Sequence, residues 1–260
     1  MILQMNRLSL LLDLLTSKCQ QFVIATVAVA IGVSATATEP LQLKKGDSIA
    51  IIGNTTADRL QHAGWLDTYL HATFPEYDLA FRNLGYPGDE LKIRNREENF
   101  GSPDEWLTKV RANVVFCFFG YNEALKGPAA LDAFKKDLAE TVESMRAQKY
   151  DGQSPPRLVF FSPIAHENLN DPNLPDGKAN NANLAMYTQA MQTVCEEKNV
   201  SFVDLYTPSM KLYEAEPMPL TMNGIHLLEN GEKAIAEVII KSLFPNEKVK
   251  ANAEQLEKIR

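Results

Sequence analysis

"KKGDSIAIIGNTTADRL", residues 44–60, is the stretch on which the reading of this chain turns. Its centre, Ser48 to Asn54, is a near-continuous apolar run of the kind found in strands covered on both faces. Two glycine-led tripeptides flank the run and each carries a hydroxyl, Gly46-Asp47-Ser48 in front and Gly53-Asn54-Thr55 behind. At about 3.3 Å per residue the two hydroxyls would stand roughly 23 Å apart, on opposite rims of a sheet. In open α/β sheets ligands bind beyond the carboxyl ends of the strands, so Thr55 is on the functional rim and Ser48 belongs to a turn entering the strand.

Four more runs of the same type follow: "DLAFRNL" (78–84), "NVVFCFFG" (113–120), "RLVFFSP" (157–163) and "VSFVDLY" (200–206). Between them the apolar spacing becomes helical. Residues 102–111 open with Ser102, Pro103 and Glu105, a capping box with proline at the first helical position, and place Trp106 and Val110 on one face. The segments 129–148, 182–198 and 231–243 carry apolar residues three and four apart, such as Leu131, Phe134, Leu138, Val142 and Met145 in the first. This alternation predicts a three-layer α/β/α sandwich around a five-stranded parallel sheet with right-handed crossovers.

The chain has 260 residues, 45% hydrophobic and 23% charged, enough for one domain of about 200 residues with appendages. A net charge of −7 with no Lys/Arg run excludes a nucleic-acid partner and leaves a small uncharged or cationic substrate. After Arg7 and Lys18 comes "FVIATVAVAIGV" (22–33), then "SATATEP" with Ala35 and Ala37, the pattern of a secretory signal over residues 1–37. Export to the periplasm or medium, with no stable membrane insertion after cleavage, is the expectation. The preceding "LSLLLDLL" (8–15) supports a retained anchor as the alternative. A linker (38–45), the main domain (46–245) and a charged, helix-prone tail (246–260) complete the division, the tail reading as a solvated end or a dock for a further domain. Cys19 lies in the signal, Cys117 and Cys195 read as buried free thiols, and no Cys or His cluster has zinc spacing.

The functional rim then collects the loops "NLGYPGDEL" (83–91), "FFGYNEAL" (118–125), "SPIAHENL" (162–169) and "LTMNGIHLLENG" (220–231). Acyl transfer needs a hydroxyl, a base within hydrogen-bond reach, and donors where a carbonyl oxygen becomes negative. In their order these blocks resemble those of the SGNH hydrolases, the GDSL-type esterases and lipases, over roughly residues 46–245. Gly53-Asn54-Thr55 stands where the family has Gly-Asp-Ser. Gly88 matches the second-block glycine, Gly120-Tyr121-Asn122-Glu123 matches Gly-x-Asn-Asp, and Asn223-Gly224-Ile225-His226 matches Asp-x-x-His.

The resemblance implies a flavodoxin-like SGNH hydrolase fold and an ester hydrolase without a cofactor. Thr55 would be the nucleophile and His226 the base oriented by Asn223, with Thr55, Gly88 and Asn122 forming the oxyanion hole. Asn54, Asp89, Tyr121, Glu123 and His166 would stand around the pocket, and Asp89, Glu123, His166 and Glu167 are candidates for a relocated acid or base. Threonine in place of serine crowds the attack, and Asn223 in place of aspartate removes a charge from behind the base. The expected substrate is a small-molecule or carbohydrate ester, with acetyl groups on a surface polymer foremost. The alternative is a non-catalytic carbohydrate- or ester-binding module that keeps the cleft.

Overall fold

In the computed structural model, which describes residues 41–96 and 99–260, the opening apolar run forms β1 (Ser48–Gly53). It pairs on one side with β2 (Ala80–Asn83) and on the other with β3 (Val114–Phe118), followed by β4 (Arg157–Phe161) and β5 (Ser201–Val203). Among the described residues these make one five-stranded sheet of order β2-β1-β3-β4-β5, parallel throughout. The helices are α1 (Thr55–Ala63), α2 (Trp65–Thr73), α3 (Pro103–Lys109), the short α4 (Tyr121–Ala124), α5 (Leu131–Arg146), α6 (Lys178–Glu197), α7 (Tyr206–Ala215), α8 (Glu229–Leu243) and α9 (Ala253–Ile259).

Strand side chains alternate between two cores. Ile49, Ile51, Val114, Phe116, Phe118, Val159 and Phe161 share one with residues of α1, α2, α8 and α9. Ala50, Ile52, Val115, Cys117, Leu158 and Phe160 share the other with α3, α5 and α6. The chain steps one way from β1 to β2 and the other way from β2 onward. Crossovers of constant hand must then put their helices on opposite faces, which explains why α1 and α2 lie on one face and α3, α5 and α6 on the other. The reversal leaves a crevice beyond the carboxyl ends of β1 and β3.

Several expectations need correction. β2 is not buried on both faces: it alternates exposed and half-buried residues because it is an edge strand, and Arg82 points to solvent. The capping box at Ser102 forms, but the residue that α3 buries is Leu107, while Trp106 and Val110 are half-buried. Apolar periodicity does not mark α1, which buries only Ala57 and Leu60, and Gly64, with φ +67°, ends α1 and starts α2. The tail does not stand free as a solvated end: α9 follows α8 and buries Leu256 in the core, and the Arg260 guanidinium stacks 4.8 Å from the Trp65 ring centroid. The signal segment and Cys19 lie outside the described residues; Cys117 and Cys195 are buried free thiols in the same layer, and burial pushes Cys195 up to about 12.

Candidate active site

The turn from β1 into α1 requires glycine. Gly53 has φ +133°, and a Cβ there would fall 2.0 Å from the Phe118 carbonyl oxygen on the neighbouring strand. The next N–H, of Asn54, donates to that same oxygen at 3.0 Å. Asn54 is 3% exposed and caps α1, its Oδ1 accepting from Thr56 N at 3.0 Å, a bond worth about 1 kcal/mol. Thr55 is thus the first residue of the helix, half-buried at the end where backbone N–H groups lack helical acceptors and the dipole is positive. Ser48, at the other end of β1, donates its hydroxyl to Val110 O at 2.8 Å, and Asp47 beside it is buried and bridged to Arg157.

Two loops are tied together next to this turn. Gly88 has φ +85°, and a Cβ there would press on Asn95 Nδ2 at 2.8 Å. The Asn122 amide donates one hydrogen to Asp89 O at 3.1 Å, which leaves its second N–H for another acceptor. Asp89 is buried; its Oδ1 accepts from Asn95 N at 3.1 Å, and Arg94 stands 3.9 Å from its Oδ2. Glu123 accepts from Leu91 N and from Gly120 N, each at 2.9 Å, and burial pushes its carboxyl above the ordinary range. Asp89 therefore holds backbone of its own loop and Glu123 ties its loop to that of Leu91, while Tyr121 accepts a hydrogen bond from Asn180 Nδ2 at 2.8 Å.

The loop of His226 closes on itself through an antiparallel bridge between Thr221 and Leu227, with Met222 N donating to His226 O at 2.9 Å. Within it Asn223 Oδ1 accepts from His226 N at 3.1 Å, and both ends of the same amide approach the imidazole: Oδ1 lies 3.1 Å and Nδ2 3.0 Å from Nδ1. When Nδ1 carries the proton and donates to Oδ1, Nε2 is left with a lone pair. Burial, then the Arg59 guanidinium, lowers the His226 pKa below its ordinary value, so the neutral ring prevails at neutral pH. Arg59 is one turn along α1 from Thr55 and donates to Leu227 O at 3.2 Å. Thr56, Arg59, Ile225, His226 and Glu232 line a small cleft, which sets His226 against the first turns of the helix that Thr55 begins.

His166 and Glu167 sit beneath this loop, both buried. A Cβ on Gly224 would fall 2.4 Å from His166 Nε2 and one on Gly177 2.7 Å from its Cδ2, so the ring is packed between two glycines. Burial lowers the His166 pKa, against the opposing pull of the Pro175 carbonyl and Asp176. Asn180 Nδ2 lies 3.2 Å from His166 Nδ1, and Asn181 brackets the His166 backbone, Oδ1 accepting from its N at 2.7 Å and Nδ2 donating to its O at 2.8 Å. The Glu167 carboxylate accepts from Leu220 N, Thr221 N and Thr221 Oγ1. Arg59, Asn180, Asn181 and Thr221 were not singled out from the sequence, because each is an ordinary polar residue whose partner is distant in the chain.

The GDSL-like Lipase/Acylhydrolase family matches residues 46–234. No curated protein matches the chain in sequence. Among solved structures, a catalytic mutant of an acetylxylan esterase from Geobacillus stearothermophilus superposes with TM-score 0.60 at 14% identity, over 78% of this chain and 97% of that one. An α/β hydrolase enzyme from the metagenome of Lake Arreo, Spain, gives 0.59 at 18% identity over 77% and 96%. A gut microbial diltiazem-metabolizing enzyme gives 0.58 at 17% identity over 80% of this chain and 49% of that one. These likenesses bear on the fold; the match over residues 46–234, with the blocks standing at the strand ends, makes the chain a member of the GDSL-like lipase/acylhydrolase family of ester hydrolases.

Proposed function

We propose that the protein is exported and removes small acyl groups, acetyl foremost, from carbohydrate. Thr55 Oγ1 attacks the ester carbonyl while His226 Nε2 takes its proton. The oxyanion is met by the N–H groups of Thr55 and Gly88 and by the free amide hydrogen of Asn122. His226 returns the proton to the leaving alcohol, and a water activated by the same ring then hydrolyses the acyl-threonine. The observation that carries this reading is the Asn223–His226 pair, in which the tautomer that donates from Nδ1 to Oδ1 leaves Nε2 as a base.

The choice of carbohydrate rests on different support. A cavity of about 230 Å³ beside Asp89 is lined in part by the aromatic side chains of Phe100 and Trp106, apolar surface of the kind that small-molecule pockets carry. One protein of this fold is an acetylxylan esterase.

A binding module is the second reading. Arg59 near a base that has only a neutral amide behind it disfavours imidazolium, which is tolerable in a binder and costly in a catalyst. Hydrolysis of acetyl esters by the wild type and its loss in Thr55→Ala separates the two. A phosphonate probe read by intact mass gives the second arm. Labelling at Thr55 supports the enzyme, and absence of both activity and label supports the binder.

A further inference from the structure

Glu167 is 6% exposed, and among the described residues no cation bridges it. Its acceptors all serve one segment. Leu220 N donates at 3.1 Å to Oε1, Thr221 N at 2.7 Å and Thr221 Oγ1 at 2.6 Å to Oε2. The same residue grips that segment again through its backbone, Glu167 N donating to Gly224 O at 2.8 Å. Thr221 Oγ1 relays the hold by accepting from Gly224 N at 2.9 Å. Both ends of the turn that leads into Asn223 and His226 are therefore fastened to one residue of another loop.

We propose that Glu167 is a positioning residue for the base: it holds the Leu220–Leu228 loop so that the His226 ring meets the start of α1. A buried carboxylate without a cation is a poor way to gain stability, since well-packed apolar groups do as well or better. It is a good way to fix a loop, because three donors must be met in one arrangement. The neighbouring His166 extends the hold. Its ring lies on Gly224 and its Nδ1 stands 3.2 Å from Asn180 Nδ2, which also donates to Tyr121 OH, the residue before Asn122. The dipeptide thus spans the two loops that would bring base and oxyanion donor to one ester, and this inference rests on the reading of His226 as the base.

The test uses the full chain and its Glu167→Gln, Thr221→Val and Thr221→Ser variants. Two things are measured: kcat and KM on p-nitrophenyl acetate, and the His226 imidazole resonances by ¹⁵N NMR across pH. The Glu167→Gln amide turns a donor toward the loop's own donors. For a folded variant, kcat is expected to fall roughly 10²-fold, as for an ångström-scale misplacement of a reacting group. KM should stay within about twofold and the His226 ring signals should shift. Wild-type kcat and unmoved His226 signals in folded Glu167→Gln would overturn the proposal. Should that variant fail to fold, Thr221→Val decides in its place: it should lower kcat and move the ring signals, and Thr221→Ser should restore both. Should the wild type show no hydrolysis at all, the reading of His226 as base fails by itself, and the NMR arm still decides whether Glu167 sets the ring.

Discussion

Asn223 faces His226 Nδ1 with both ends of its amide, the oxygen at 3.1 Å and the nitrogen at 3.0 Å. An aspartate there could only accept, and would hold the proton on Nδ1. The amide can also donate, which stabilises the other tautomer, in which Nε2 carries the proton and cannot serve as a base. Backbone N–H groups of His226 and Ile225 point at Oδ1, at 3.1 and 3.4 Å, so the amide itself is oriented while the ring tautomer is left divided.

Asn223→Asp should therefore raise kcat by at least about tenfold, through loss of the inactive tautomer and stabilisation of the imidazolium. The ¹⁵N shifts of the His226 ring should show the proton on Nδ1. An unchanged kcat in a folded variant would argue against His226 as the base.

Thr55→Ala should lower ester hydrolysis on the order of 10³-fold or more, leaving the melting temperature close to that of the wild type because the side chain is half-buried. Thr55→Ser keeps the hydroxyl and removes the methyl that crowds the attacked carbon, so its kcat should exceed that of the wild type. Acid-quench mass spectrometry should find the acyl group on residue 55 in both hydroxyl-bearing proteins.

The pH profile follows from the His226 shift. A base must be unprotonated, and the His226 pKa lies below 6.5, so kcat/KM should rise through an inflection under that pH and level off above it. Arg59→Met takes away a cation that disfavours imidazolium and should move the inflection up.

Glu232 is 2% exposed, its Oε2 accepting from Ala63 N at 3.2 Å, and burial lifts its pKa from 4.5 to about 6. Its folded-state value exceeds the unfolded one, so the stability it contributes is whole below 4.5 and lost as pH rises through about 6. Glu232→Gln should gain about 1–2 kcal/mol at pH 8 and close to nothing at pH 4, read from urea midpoints.

Gly53→Ala should cost about 3 kcal/mol or more, since the new methyl meets a strand carbonyl and the backbone sits where L-residues strain. Urea melts should show the loss, and activity should fall with it because Thr55 follows directly.

Local patterns were readable in the chain itself. Continuous apolar runs in β1, β3 and β4 marked strands covered on both faces, and three- and four-residue spacing marked α5, α6 and α8. Together with the rule that ligands sit beyond strand ends, this separated Thr55 from Ser48. The capping box at Ser102 was equally plain, because its partners are three residues apart. Helices α1 and α9 were less so, having two buried residues and one.

What the linear pattern could not contain was the partner of each polar group. Asp89, Glu123 and Glu167 look alike in sequence as acids in rim loops, yet each holds backbone N–H groups, of Asn95, of Gly120 and Leu91, and of Leu220 and Thr221. Such bonds join residues up to 54 positions apart and depend on which loops the sheet order brings side by side. Hydrophobic periodicity is a property of neighbours along the chain and declares the layers. The environment of a buried carboxylate or imidazole is a property of neighbours in space, and only the folded chain decides it.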